Sequence, residues 1–527
     1  MSRDFHLPGR SPVLAQEGMA ATSHPLATLA AIDILRAGGT AADAAIAAVA
    51  TLCVVEPAMT GIGGDCFCLI GEPGKPVWGY NGSGRAGAAV TTEKMLPLGV
   101  RQIPAESPHC VTVPGSIEAW DAILKARGRF TLDRVLAPAI RYAENGFPVA
   151  ARVAADWKTA QPKLARDPVA SQTCLFGGHA PAEGEVVRFP ALAATLKAIA
   201  KGGPRAFYEG AIAADMAATL KARGSLLTAE DFAAHRGNEE TPISTHYRGI
   251  DLMEIPPNGQ GLTALVLLNI LETFDLAKLD ALGPDRFHIM LEAARMAFAV
   301  RDTHIADPAH MRIAVSALND KAFARKLAAK IDLTRRADLP KAPTPGTDTV
   351  YLTVVDRDRM AVSLINSLFS GFGSGICSEK SGVVFNNRGS GFVIEPGHPN
   401  TIGPDKRPMH TIIPAMAMRN GRCEMSCGVM GAHYQPMGHV QMVLNTLDYG
   451  MDVQEAIDAP RAFFEGETTL VERGMPAATV EGLRARGHAI DITPAPWGGA
   501  QAIRIDWERG VLTGGSDPRK DGCALGY

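Results

Sequence analysis

Leu339-Pro-Lys-Ala-Pro-Thr-Pro-Gly-Thr-Asp348 runs directly into Thr349-Val-Tyr-Leu-Thr-Val-Val355. The first part is rich in proline and glycine and predicts an exposed, irregular loop. The second is rich in β-branched and aromatic residues in alternation and predicts a strand. Asp356-Arg-Asp-Arg359 makes a turn, and residues 361–369 return as a second strand. The pair is a β-hairpin that opens a β-rich last third of the chain. A loop that feeds straight into a core strand is an odd join. It is what a chain needs if it is to be cut there.

Working outward, Thr40 with Asp43 three residues later spells a capping box. The helix it starts, Ala41-Ala-Asp-Ala-Ala-Ile-Ala-Ala-Val-Ala-Thr-Leu-Cys-Val-Val55, is small and apolar all round, so it must be covered on most sides. Ser23 is placed to cap the preceding helix, with Pro25 in its first turn and Gly38-Gly39 after its end. Gly61-Ile-Gly-Gly-Asp65 predicts a tight turn into a strand over 66–70. Residues 115–345 read as mainly helical, with Pro256-Pro-Asn-Gly-Gln-Gly261 as a turn among them.

Composition narrows the function. Hydrophobic residues make up 46% of the chain and charged residues 20%, a globular balance. A net charge of −3 leaves no basic surplus for nucleic acid or an anionic membrane. Residues 1–14 carry Arg3, Asp4 and Arg10 without an apolar core, and the apolar run 44–55 is too short to cross a bilayer. The expected location is therefore cytoplasmic. Nine scattered cysteines fit reduced thiols, and Cys423 and Cys427 lack the further ligands a zinc site needs, so no metal is expected.

Several ordered motifs carry a family resemblance: Ser23-His-Pro-Leu-Ala-Thr28, Gly38-Gly-Thr-Ala-Ala-Asp43, Gly63-Gly64, Val113-Pro-Gly-Ser116, Asp348-Thr349 with Val354-Val-Asp356, Phe372-Gly-Ser-Gly375, Asn386-Asn387 and Ser516-Asp-Pro-Arg519. Together they resemble the γ-glutamyltransferases. That resemblance implies an α/β (α+β) fold, the four-layer αββα sandwich of N-terminal-nucleophile hydrolases. It implies a precursor cut at Asp348–Thr349 into a large chain (1–348) and a small chain (349–527), which stay together as a heterodimer. Thr349 becomes the nucleophile, with its freed α-amine as base. Gly431 and Ala432 fall at the oxyanion-hole turn, and Ser367 where relatives have a hydroxyl beside the nucleophile. No cofactor is implied. The substrate is a small-molecule acyl amide, with water or an amino acid or peptide as acceptor.

The resemblance weakens where the γ-glutamyl group would bind. Positions that hold an Asn, a Gln, an Asp and a Ser pair in relatives are Phe369, Arg388, Gly391 and His410-Thr411 here, and the binding Arg is displaced to Arg85. The acidic partner for an ammonium is lost and a cation is gained. Arg85, Arg388, His410 and Thr411 are thus the expected substrate-binding residues. The family resemblance implies γ-glutamyl amides such as glutathione; the altered residues suit, as the alternative, a carboxylate-bearing acyl group without an α-amine, of glutaryl or half-amide type. A third reading is an uncleaved, inactive binding protein.

Overall fold

The computed structural model describes residues 9–338 and 348–527; the loop expected over 339–347 lies outside the described residues. The expected hairpin is present. Strand Val350–Val355 pairs antiparallel with Ala361–Ser367, in the register Val350 opposite Asn366. It sits at the middle of a seven-stranded antiparallel sheet whose order is Cys523–Gly526, Met19–Thr22, Val350–Val355, Ala361–Ser367, Asp65–Gly71, Trp78–Gly82 and Asn238–Glu240. A second seven-stranded antiparallel sheet runs Val13–Ala15, Val511–Ser516, Gly499–Asp506, Arg422–Met430, Ala415–Arg419, Ile250–Glu254 and Ile243–Tyr247. The last two strands lie inside the stretch that reads as mainly helical. They are short, and helices on either side dominate the sequence pattern there.

Period-two alternation decides which side chain goes where. Val350, Leu352 and Val354 pack against the helices, among them the fully buried Ala41–Val55. Tyr351 and Val355 join Phe67, Leu69 and Ile365 of their own sheet, and Met416, Ile503 and Ile505 of the other, in a core between the sheets. The outer face of the second sheet, with Leu252, Ala417 and Val429, is covered by helices Gly261–Leu271, Pro284–His304 and Gln435–Leu447. The result is helix, sheet, sheet, helix: the four layers expected. Odd-numbered residues of the strand Val350–Val355 point into the inter-sheet layer, so Thr349 at its head points there too.

The capping box at Thr40 forms as read, with the Asp43 N–H bonded to the Thr40 hydroxyl. The preceding helix, Pro25–Arg36, is capped not by Ser23 but by His24, whose Nδ1 accepts from the Leu26 N–H at 3.2 Å. The Ser23 hydroxyl instead donates to the buried Glu56 carboxylate. Burial pushes that carboxyl up to about 7, which makes a nearby donor worth more than a cap.

The spacing of the two sheets at the strand Val350–Val355 depends on Gly428. A Cβ there would fall 2.4 Å from the Tyr351 ring, which fills the gap between sheets. Gly428→Ala is expected to destabilise the protein by about 1–3 kcal/mol through overpacking. Urea unfolding of an unprocessed background checks this.

Candidate active site

Backbone register assembles the site before any side chain is considered. Ser367 pairs with Asp65 across the strand boundary. Val350 opposite Asn366 places Thr349 level with Ser367. Thr349, Ser367 and Asp65 therefore form a row across three adjacent strands, all facing the inter-sheet layer and all fully buried. The Thr349 and Ser367 hydroxyls lie 3.0 Å apart. Ser367 Oγ also accepts the Phe369 N–H at 2.8 Å, which leaves its proton free to point at Thr349.

The opposing sheet brings the Gly431-Ala432 turn, the expected oxyanion site, to the same level. Thr353 Oγ1 donates to Ser426 Oγ at 2.7 Å, and Tyr351 lies over Gly428. Two residues further along each strand in the same sense are Thr349 and Met430, and Gly431-Ala432 follows at once. Both turn residues have positive φ, +123° and +48°. They follow directly on Met430, the last residue of the strand Arg422–Met430 to pair with Gly499–Asp506.

Left-handed backbone collects here. Among the described residues with positive φ other than glycine are Thr349 (+123°), Phe369 (+86°), Phe372 (+55°) and Ala432 (+48°). For a β-branched or aromatic residue each costs about 1–3 kcal/mol and persists only where the surroundings impose it. At Thr349 the strained φ is the torsion about the bond that follows the Asp348–Thr349 peptide. Asp348 itself is half-buried and lines a cleft of about 350 Å³ together with Met59, Asp156, Lys163, Ser370 and Gly371. Burial holds its carboxyl above the ordinary range, against the opposing pull of Lys520 and Lys163.

The substrate-binding candidates separate. Arg388 and Thr411 come together: Arg388 Nη1 donates to Thr411 Oγ1 at 2.7 Å. The guanidinium also stands 3.7 Å from Asp65 Oδ2 and 4.2 Å from the Phe369 ring centre. It is completely buried, yet Nε and Nη2 have no hydrogen-bond acceptor. Burial pushes its pKa down to about 9, with Asp65 pulling the other way, so it remains a cation at neutral pH. Asn386 and Asn387 hold this segment in place. Asn386 Oδ1 accepts from the Arg388 N–H, and its Nδ2 donates to Gly63 O, each at 3.0 Å.

His410 is present but occupied. Its Nδ1 accepts from the Ile412 N–H, so its proton sits on Nε2 and is donated to Asp65 Oδ2 at 2.9 Å. Burial and the adjacent Arg388 push its pKa down to about 3, leaving a neutral ring. It supports Asp65 rather than reaching for a ligand. Arg85 is not brought into this group. Its side chain turns to Asp405 O at 3.0 Å and Asp307 at 3.5 Å and is partly exposed. Arg85 sits next to Gly84, whose N–H donates to Asp65 Oδ1 at 2.9 Å, but the backbone, not the cation, faces the site.

Asp65 was legible only as the end of a glycine turn. The missed signal is an acid at the head of an otherwise apolar strand, Asp65-Cys-Phe-Cys-Leu-Ile70. The turn before it is tight for a reason: a Cβ on Gly64 would stand 2.3 Å from the Ser367 carbonyl oxygen.

Comparison with known proteins gives the family. The family model described as Gamma-glutamyltranspeptidase matches residues 27–527. A glutathione hydrolase-like proenzyme of Bacillus subtilis is 39% identical, over 98% of this chain and 99% of that protein. An oxamate amidohydrolase proenzyme of Klebsiella pneumoniae is 36% identical, again over 98% and 99%. A crystal structure of a cephalosporin acylase from Bacillus halodurans superposes with a TM-score of 0.93 at 40% identity, over 100% of this chain and 99% of that one. The chain belongs to the γ-glutamyltranspeptidase family, whose members are enzymes.

The Asp65–Arg388 pair gives a direct prediction. Asp65→Asn keeps the shape but leaves a buried guanidinium without its counter-charge, an effect of about 3–5 kcal/mol. The expected outcome is a large loss of thermal stability that Arg388→Met, introduced in the same chain, partly reverses. A double-mutant cycle of unfolding free energies measures it.

Proposed function

We propose that this chain is a self-processing N-terminal-nucleophile amidohydrolase that acts on small amides whose acyl group ends in a carboxylate, without requiring an α-amine. The observation that carries this is Arg388: a buried cation beside the nucleophile row with two guanidinium nitrogens lacking acceptors. A planar guanidinium with spare donors suits a carboxylate, which it can bind in bidentate fashion. The γ-glutamyl reading also needs an anion for the ammonium. The nearby carboxylate, Asp65, is already used by the Gly84 N–H, His410 and Arg388. Gly391, where relatives have an acid, offers none. The oxamate amidohydrolase relative, named for an amide that carries a carboxylate, supports an acyl group of this kind.

The chemistry follows in two rounds. In the precursor Thr349 Oγ attacks the Asp348 carbonyl carbon, the C–N bond breaks, and the acyl group moves to oxygen. Water then opens the ester, giving the Asp348 carboxylate and the Thr349 α-amine. Cleavage also removes the strained φ at Thr349, because a chain-terminal amine has no such torsion. The large and small chains remain interlocked, since strands of both build each sheet. In the mature enzyme the α-amine takes the Oγ proton as Oγ attacks the substrate amide. The Gly431 and Ala432 N–H groups hold the oxyanion. The amine returns the proton to the leaving nitrogen, and water or an amine acceptor releases the acyl group from Thr349. Ser367 holds the Thr349 hydroxyl in line.

Processing and pH form one test. Purified protein is expected to run as two bands, residues 1–348 and 349–527, and Thr349→Ala as one. Activity rises with pH as the α-amine loses its proton. Its ordinary pKa is about 7.7–8.0, and burial beside Arg388 disfavours the ammonium form, so the apparent value falls at or below that range. A kcat/KM profile with no limb between about pH 6 and 8 removes the amine from the base role.

Specificity is the second test. Matched glutaryl and γ-glutamyl anilides are compared for kcat/KM, and the glutaryl compound is expected to be the better donor. Arg388→Met lowers kcat/KM for it by roughly 10- to 150-fold, the worth of a charge-assisted pair of about 1.5–3 kcal/mol. Strong preference for the γ-glutamyl anilide, unchanged in Arg388→Met, overturns the acyl reading while leaving Thr349 in place.

A further inference from the structure

The turn Pro256-Pro-Asn-Gly-Gln-Gly261 has no part in the chemistry so far, yet its Gln260 is fully buried and every polar atom of its side chain is used. The Gln260 N–H donates to His410 O at 2.9 Å. Its Nε2 donates to Thr411 O at 2.6 Å and to Ala432 O at 2.9 Å. Its Oε1 accepts from Arg301 Nη1 at 2.8 Å. One amide therefore ties the segment under Arg388 to the oxyanion turn.

Arg301 extends the tie. It lies on the helix Pro284–His304, is buried, and is anchored through Nε to Asp302 at 2.7 Å. The same Nη1 that meets Gln260 donates to His433 Nδ1 at 2.9 Å. A guanidinium only donates, so His433 Nδ1 must present its lone pair and the ring proton must sit on Nε2. Burial, with Arg301 and Arg388 nearby, holds the ring neutral. His433 follows Ala432 directly, and its ring stands edge-on to Phe369 at 6.4 Å, on which Arg388 also packs. Among the described residues no acceptor is recorded for its Nε2–H.

We propose that Gln260 and Arg301, both from the large chain, are positioning residues for the small chain's chemistry. Gln260 holds the Ala432 carbonyl, and so the peptide that closes the Gly431–Ala432 turn on its C-terminal side, at a fixed distance from the Thr411–Arg388 shelf. Arg301 locks His433 as an Nε2–H donor beside Phe369, where it is placed to bind an oxygen of the acyl group. The assignment rests on the reading of Gly431 and Ala432 as the oxyanion donors.

The kinetic test uses processed enzyme and glutaryl p-nitroanilide. Gln260→Glu keeps the shape and the Arg301 contact but replaces two donors with acceptors facing two carbonyls. It is expected to lower kcat roughly 10- to 100-fold, a fraction of the loss of a whole oxyanion donor, with KM within about twofold because Arg388 is untouched. Arg301→Met gives a similar kcat loss, and Arg301→Lys, which keeps a cationic donor, restores most of it. Self-cleavage and the unfolding midpoint confirm that each variant is folded; where Gln260→Glu does not fold, the two Arg301 variants decide the question. For Gln260→Glu an unchanged kcat, or a rise in KM alone, overturns the proposal; for Arg301→Met an unchanged kcat with an unchanged KM does.

A second measurement does not depend on turnover. Nitrogen-15 NMR of labelled histidine, with His433 assigned by its loss in His433→Gln, is expected to show Nδ1 bare and Nε2 protonated in the wild type. Arg301→Met is expected to lose that preference. An Nδ1–H tautomer in the wild type overturns the Arg301 assignment. If the wild type hydrolyses neither the glutaryl nor the γ-glutamyl anilide, the acyl reading fails by itself, and the tautomer alone decides the proposal.

Discussion

Everything at the site is arranged around one buried carboxylate. Asp65 stands fully enclosed between two sheets, where an uncompensated charge would cost several kcal/mol. It is matched by a backbone N–H from Gly84, a neutral imidazole from His410 and the guanidinium of Arg388. These come from three separate stretches of chain, so the requirement to satisfy Asp65 fixes how the stretches meet. A buried pair of this kind adds little net stability compared with apolar packing. What it supplies is a defined position for Arg388 next to the row of Thr349, Ser367 and Asp65, with donors left over. Thr411 takes one guanidinium nitrogen and Phe369 covers the flat face, so the remaining donors are confined to one edge.

Strain and rigidity are paired in the same region. Thr349, Phe369 and Ala432 are held at backbone angles such residues avoid, and each is gripped by neighbours that are themselves fixed. Thr349 meets Ser367, whose oxygen is tied to the Phe369 N–H. Ala432 is tied through its carbonyl to Gln260, which is tied to Arg301. Unfavourable local geometry survives only when packing over-determines it, and it clusters where reacting groups must be aimed. The ordinary core does the opposite work. The wholly buried helix Ala41–Val55 and the inter-sheet aliphatic layer give a stiff frame in which such positions can be held.

The division between what the chain states and what the fold adds runs along sequence separation. The hairpin from Val350 to Ser367, the Thr40–Asp43 capping box and the apolar helix it starts were legible because each depends on residues a few positions apart. The side that Thr349 faces also follows from strand alternation alone. The expectation that Thr349 is the nucleophile, and those for Gly431, Ala432 and Ser367, rest on an ordered set of motifs spread over the chain. The gain of Arg388 beside the loss of an acid at Gly391 could be read the same way, as a change in the charge the pocket prefers.

Tertiary structure decided the rest, because long side chains choose partners that sequence does not bring near. Arg85 spends its cation on Asp307 and Asp405 rather than on the site. His410 gives its one proton to Asp65, which required a strand head 345 positions away. His24 caps a helix in place of Ser23 because Ser23 answers a buried Glu56. Gln260 and Arg301 gain their meaning only when the turn at 431–433 closes over them. The sequence by itself determined the hairpin strand and the residue at its head. Only the folded chain decided which buried charges face one another, since burial makes every polar atom find a partner and distance along the chain sets no limit on where that partner comes from.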